Sequence, residues 1–200
     1  LREVGPQTGH ETLQLPEPWG ETEFIHSQHS EPLTVPFADG IREKGIREFT
    51  WKLHLPKREH EIWVGLVKAG FGDFETPLDV KGVSLRPSEM LDAVVRHNME
   101  VRAGDIPEQE NHEIHLAIGE GTRDGKGLRV RVHVKSGADP LYEGYHDAGT
   151  SMNASIVAQL MLRGRSRPGV WAPEEFFDVE DYFAELRKRR FTIAVEETAL

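Results

Sequence analysis

The run His29-Ser30-Glu31-Pro32-Leu33-Thr34-Val35-Pro36 holds the densest knot of chemistry-bearing side chains in the sequence, with an imidazole, a carboxylate and hydroxyls within six positions. An imidazole titrates near neutrality, and one held beside a carboxylate suits proton transfer. His29 and Glu31 are therefore the candidate catalytic pair, with Thr34 a candidate substrate contact. The same residues also fit a loop in which the Ser30, Glu31 and Thr34 side chains bond backbone amides.

A second candidate lies at Asp147-Ala148-Gly149-Thr150-Ser151, where a flexible Ala-Gly pair leads into two hydroxyl residues able to cap a helix. That helix is expected to run to Arg163 and stop at Gly164. Met152, Ile156, Leu160 and Met161 form its apolar stripe, and Ala154, Ser155 and Ala158 keep another side small. Amide groups at such a helix start can receive a carboxylate. Tyr142, Tyr145 and His146 just before it are placed to wall a pocket, so Tyr145, His146, Thr150 and Ser151 join the candidate substrate-binding set. Packing alone accounts for the same residues.

Other patterns carry less chemistry. His115 and His133 fall in a predicted hairpin, opposite or diagonal to one another, with Arg129, Arg131 and Lys135 on the same face. Two imidazoles without a local third ligand do not make a metal site, and a wetted sheet face or a partner subunit accounts for them. Gly119-Glu120-Gly121-Thr122-Arg123-Asp124-Gly125 begins like a dinucleotide fingerprint. It joins two antiparallel strands and opens no helix, so the basis for pyrophosphate binding is missing.

These side chains must be positioned by a framework legible from periodicity. Short strands are expected at Thr12–Leu15 and Glu23–His26, and a longer one at Arg47–Leu55, where Phe49, Trp51, Leu53 and Leu55 alternate with polar residues. His54 points with Lys52, away from the apolar side. Glu59–Gly70 reads as a helix with the stripe Ile62, Trp63, Leu66 and Val67, and Pro87 opens another carrying Met90, Leu91, Val94 and Val95. Both stripes are expected to be core. Gly72–Leu85 reads as loop and 103–111 as exposed linker. His112–Glu120 and Leu128–Ser136 form the predicted hairpin, with Arg123-Asp124-Gly125-Lys126-Gly127 as its turn. Asp178 caps a helix bearing Tyr182, Phe183 and Leu186, and Phe191–Val195 is the last strand.

The chain of 200 residues is 38% hydrophobic and 29% charged, and it carries a formal net charge of −10. That excess of acid argues against a nucleic-acid partner, which needs a clustered positive field. The basic run Arg187-Lys188-Arg189-Arg190 complements the end of a predicted helix. The absence of cysteine excludes disulfides, thiolate catalysis and thiolate metal sites. No apolar run is long enough for a membrane span and no signal peptide opens the chain, so a cytoplasmic protein is expected. The first residue, Leu1, suggests a piece of a longer protein.

The order Thr150-Ser151, Ala-containing helix, Pro168-Gly169-Val170, Pro173-Glu174, final helix and final strand resembles the C-terminal end of the saccharopine dehydrogenase-like family, which includes saccharopine reductases and lysine dehydrogenases. His29-Ser30-Glu31-Pro32, followed by Thr34 and Pro36, is similar to a stretch in some members. An Arg often follows that second Pro in the family, whereas here Phe37 stands in its place. The resemblance implies an α+β domain like the C-terminal domain of glyceraldehyde-3-phosphate dehydrogenase, with a mostly antiparallel sheet and helices on one face. It further implies a homodimer formed through the sheet, following a Rossmann domain that binds NAD or NADP. Residues 1–146 would form the substrate and dimerisation domain, and 147–200 a helix-helix-strand tail packing on the Rossmann domain. The activity implied is oxidation or reduction at a C–N bond of an amino acid or related amine. The alternative is a non-catalytic binding or oligomerisation module, toward which Phe37 points.

Overall fold

The computed structural model describes residues 2–5, 8–101, 112–136 and 148–200. The chain forms two compact units, Leu1–Pro107 and Glu108–Leu200. The fold is α+β, and every strand pair among the described residues is antiparallel. The strands form three small open sheets, ordered β1-β2-β3, β4-β5 and β6-β7-β8.

In the first unit, β1 (Glu11–Gln14) and β2 (Glu21–His26) are joined by the Pro16–Gly20 turn and pair with Glu11 opposite Phe24. One helical turn, α1 (Glu31–Thr34), follows with Pro32 in its first positions, where the missing N–H costs nothing. The expected long strand is reduced to β3 (Lys52–Leu53), because β2 offers only Ile25 and His26 as partners. Phe49 and Trp51 are still half-buried as the alternation required, but Leu53 is exposed.

Helix α2 (Lys57–Lys68) ends at Ala69-Gly70, with Gly70 at φ +92°. Residues 72–85, expected as loop, contain a hairpin of β4 (Leu78–Val80) and β5 (Val83–Leu85). Its two-residue turn places Lys81 and Gly82 both at positive φ, which suits the twist of a tight hairpin. Helix α3 (Pro87–Val101) begins at the predicted proline.

The apolar stripes of these helices depart from expectation. Ile62, Trp63 and Val67 on α2 are exposed, as are Met90, Val94 and Val95 on α3. Amphipathic spacing defines a face that can be covered, and among the described residues of this unit nothing encloses these side chains.

In the second unit, β6 (Glu113–Arg123) and β7 (Lys126–Ser136) make a long hairpin, and β8 (Thr192–Ala199) pairs with the other edge of β7. Asp124 and Gly125, at φ +53° and +75°, form its two-residue turn and set Arg123 opposite Lys126. Counting back from that pair puts His115 opposite Val134 and His133 opposite Leu116. Alternation then places His115 and His133 on opposite faces of the sheet, which corrects the expected juxtaposition.

Helices α4 (Ala148–Leu162), α5 (Pro173–Phe176) and α6 (Val179–Lys188) complete the unit. Ile156 and Leu160 of α4, Leu186 of α6 and Phe191 form the core, with Val134 and Ile193 of the sheet packed against it. These two residues are cross-strand partners, so the helices cover one sheet face. Met152 also packs there, but Met161 is exposed, which shortens the expected stripe.

The ends of these helices follow their caps. Gly164 lies at φ +86°, its amide bonds the Met161 carbonyl and the Arg165 amide bonds that of Leu160, so paired end bonds close α4. The Asp178 carboxylate accepts from the amides of Glu180 and Asp181 at the start of α6. Glu185, 3% exposed, receives Arg163, Lys188 and Arg189, which brings its carboxyl down to about 2. Part of the basic run thus serves an internal carboxylate. Among the described residues no helix is long and apolar enough to cross a membrane.

Candidate functional site

Strand β2 ends at His26, and the chain then leaves the sheet through Ser27-Gln28-His29-Ser30 into α1. The Ser27 amide donates to the Trp51 carbonyl at 3.4 Å, which holds this exit beside the residue entering β3. Glu31 is the first residue of α1, so its carboxylate turns back over the exit. Two side chains close in sequence thus come to share a hydrogen bond: His29 Nδ1 meets Glu31 Oε2. Ser30 Oγ donates to the same carboxylate oxygen at 3.4 Å. Ser30 makes no side-chain cap on α1, so its hydroxyl serves the carboxylate and not the helix amides.

Trp51 completes the arrangement. Its ring lies parallel to the His29 imidazole at a centroid distance of 4.1 Å and an interplanar angle of 4°. Stacking on one face and a carboxylate on one edge hold the imidazole without enclosing it. The His29 side chain keeps 43% of its surface and that of Glu31 37%. Thr34 ends α1, half-buried. Phe37 follows in a short 3₁₀ turn and is exposed.

The rest of the first sheet carries further imidazoles in structural settings. A Cβ at Gly9, which lies at φ +69°, would collide with the ring of His26. The Thr8 carbonyl receives the His26 amide at 2.9 Å, so this glycine forms a seat for the ring. His54 Nδ1 lies 2.9 Å from the Glu23 carbonyl, with its ring edge-on to Phe24. Its neighbour Lys52 pairs with Glu11 at 2.5 Å. Among the described residues no group of three His, Cys, Asp or Glu is arranged to hold a metal ion.

The helix start at Gly149 also differs from expectation. Helix α4 begins at Ala148, so Thr150 and Ser151 sit within its first turn rather than at the capping position, and both are exposed. The Gly149 amide donates to Glu113 Oε2 at 3.0 Å, and His115 Nε2 stands 3.5 Å from Glu113 Oε1. The hydrogen bond to His115, with a smaller part from the Gly149 amide, holds the Glu113 carboxyl below its ordinary range despite partial burial. A carboxylate occupies this helix start, as the dipole argument required, and it is the protein's own. Tyr145 and His146 lie outside the described residues.

Comparison of the chain with protein-family models and with curated proteins finds no match. Of the sequence-derived set, His29 and Glu31 are brought into contact and Thr34 lies on the same helical turn. Trp51 is the member of the site that the sequence does not point to. The alternation of residues 47–55 put it on the apolar side of a strand, and nothing in that pattern names an imidazole as its cover.

The glycine-rich run does not fit a dinucleotide. Gly119 and Gly121 lie within β6, and Gly125 turns the hairpin into β7. No helix start lies there to present its amides to a phosphate.

Proposed function

We propose that this chain is the substrate-binding and dimerisation domain of a saccharopine dehydrogenase-like, NAD(P)-dependent oxidoreductase acting on a C–N bond of an amino acid or related amine. The cofactor belongs to another part of the parent protein. His29 and Glu31 are the proton-transfer pair, and Thr34 lies beside them as a substrate contact. The observation that supports this reading is the hydrogen bond between His29 Nδ1 and Glu31 Oε2, on an imidazole left partly open to solvent. A carboxylate there balances the charge that the imidazole gains on taking a proton from a substrate ammonium group.

Amine-dependent reduction of NAD(P) by the full-length protein tests the proposal. Turnover with an amino acid or polyamine-like amine, lost by at least about a hundredfold in His29→Ala, is the expected result. Silence across a panel of such amines overturns it.

A second reading is a non-catalytic assembly module of the same descent. The exposed apolar side chains along α2 and along α3 favour it, because each leaves an uncovered apolar helix face. That reading predicts a stable complex or oligomer from a protein that turns over none of the panel.

A further inference from the structure

We infer that Trp51 is a positioning residue for His29, and that Trp51 and Glu31 together leave Nε2 as the reactive atom of the imidazole. The inference rests on the reading of His29 as the proton-transfer group and names how that group is aimed. An imidazole on a flexible stem has two freedoms to lose before it becomes a directed base. One is the plane of the ring, and the other is which nitrogen faces outward.

Trp51 removes the first freedom. With the rings 4.1 Å apart and within 4° of parallel, tilting the imidazole would separate it from the indole or drive it into it. The contact is that of stacked aromatic groups, which keep a preferred separation and orientation. Glu31 removes the second. An ionised carboxylate only accepts hydrogen bonds, so the contact at Nδ1 requires hydrogen on that nitrogen. The neutral ring then carries its lone pair on Nε2, at the far edge from Glu31.

The step that follows is a simple proton transfer. Nε2 takes a proton from a substrate ammonium group, the N–H bond breaks, and its electron pair stays on the substrate nitrogen as a neutral amine. The ring becomes an imidazolium with a carboxylate at its edge and an indole face beneath it. Trp51 touches no reacting atom in this scheme and acts through the ring it supports.

Histidine-labelled full-length chain, observed by long-range proton–nitrogen correlation at alkaline pH, tests the inference without any need for turnover. His29 is expected as the Nδ1–H form, with its carbon-bound ring protons displaced upfield by the Trp51 ring current. Trp51→Leu should abolish the displacement and leave the Nδ1–H form in place, while Trp51→Phe restores most of the displacement. Glu31→Ala should move the ring toward the Nε2–H form and leave the upfield displacement in place. Should Trp51→Leu perturb the fold, the wild-type and Trp51→Phe spectra still decide. A wild-type His29 in the Nε2–H form, or with ring protons at ordinary positions, overturns the inference. Absence of amine turnover bears on the proposed function alone, because these signals are read from the resting protein.

Discussion

The second unit closes a core between its helices and its sheet, and the first leaves the apolar stripes of its helices largely open. In the second, Ile156 is fully buried and Leu160, Leu186 and Phe191 close around it under Val134 and Ile193. In the first, Leu15 and Ala38 are the buried apolar residues among those described, while Ile62, Trp63, Val67, Met90 and Val94 stand exposed on two well-formed helices. Both units have helices with a 3.6-residue pattern. The difference teaches that periodicity states which face a helix offers, and that burial further needs a second surface of matching shape.

The largest expected contrast is between two isoleucines. Ile156→Ala should destabilise the second unit by about 2–5 kcal/mol, as truncation in a closed core does. Ile62→Ala on α2 should change stability by less than about 0.5 kcal/mol. Chemical denaturation of both variants measures the pair, and a large loss for Ile62→Ala would show that α2 is covered in solution.

Glu185 sharpens the comparison through pH. Its carboxyl is brought down to about 2 by Lys188, Arg189 and Arg163, from an ordinary value of 4.5. A lowered carboxyl contributes stability that is present above its unfolded value and lost as pH falls through the folded one. The second unit should therefore weaken between about pH 4.5 and 2, and Glu185→Gln should flatten that dependence while costing about 1–3 kcal/mol at neutral pH. Stability that does not fall across this window in the wild type would remove Glu185 as an organising charge.

A backbone test follows in the first unit. Gly9 lies at φ +69° with the His26 ring where a Cβ would go, so Gly9→Ala should cost about 1–2 kcal/mol and loosen the ring. Hydrogen exchange at the His26 amide, which donates to the Thr8 carbonyl, reports the loosening. A smaller loss, about 1 kcal/mol, is expected for Gly164→Ala at the end of α4, read as a lower melting temperature.

Much of this was legible wherever a local signal decided the outcome. The glycine-rich run 123–127 announced its hairpin, Asp178 its cap and Gly164 its helix end, because each acts through backbone geometry within a few residues. Lys81-Gly82 carried the same kind of signal between Val80 and Val83, and it was hidden by the prolines and glycines around it. The His115 and His133 faces were also within reach, since a two-residue turn fixes parity once Arg123 is set against Lys126.

What stayed hidden depends on partners distant in the chain. Glu113 lies 36 residues before Gly149, and nothing near Thr150 foretells a carboxylate arriving from a strand. The site divides the same way. His29 and Glu31 were recognisable as neighbours along the chain, whereas Trp51 reaches the imidazole only because β3 pairs with the last two residues of β2.

Strand β8 has a temporal consequence. The core of the second unit needs Phe191 and Ile193, which are made after every helix they cover. During synthesis Ile156 and Leu160 stay wet until those residues have left the ribosome. A chain stalled between α6 and β8 therefore holds these side chains with nothing yet made to close over them.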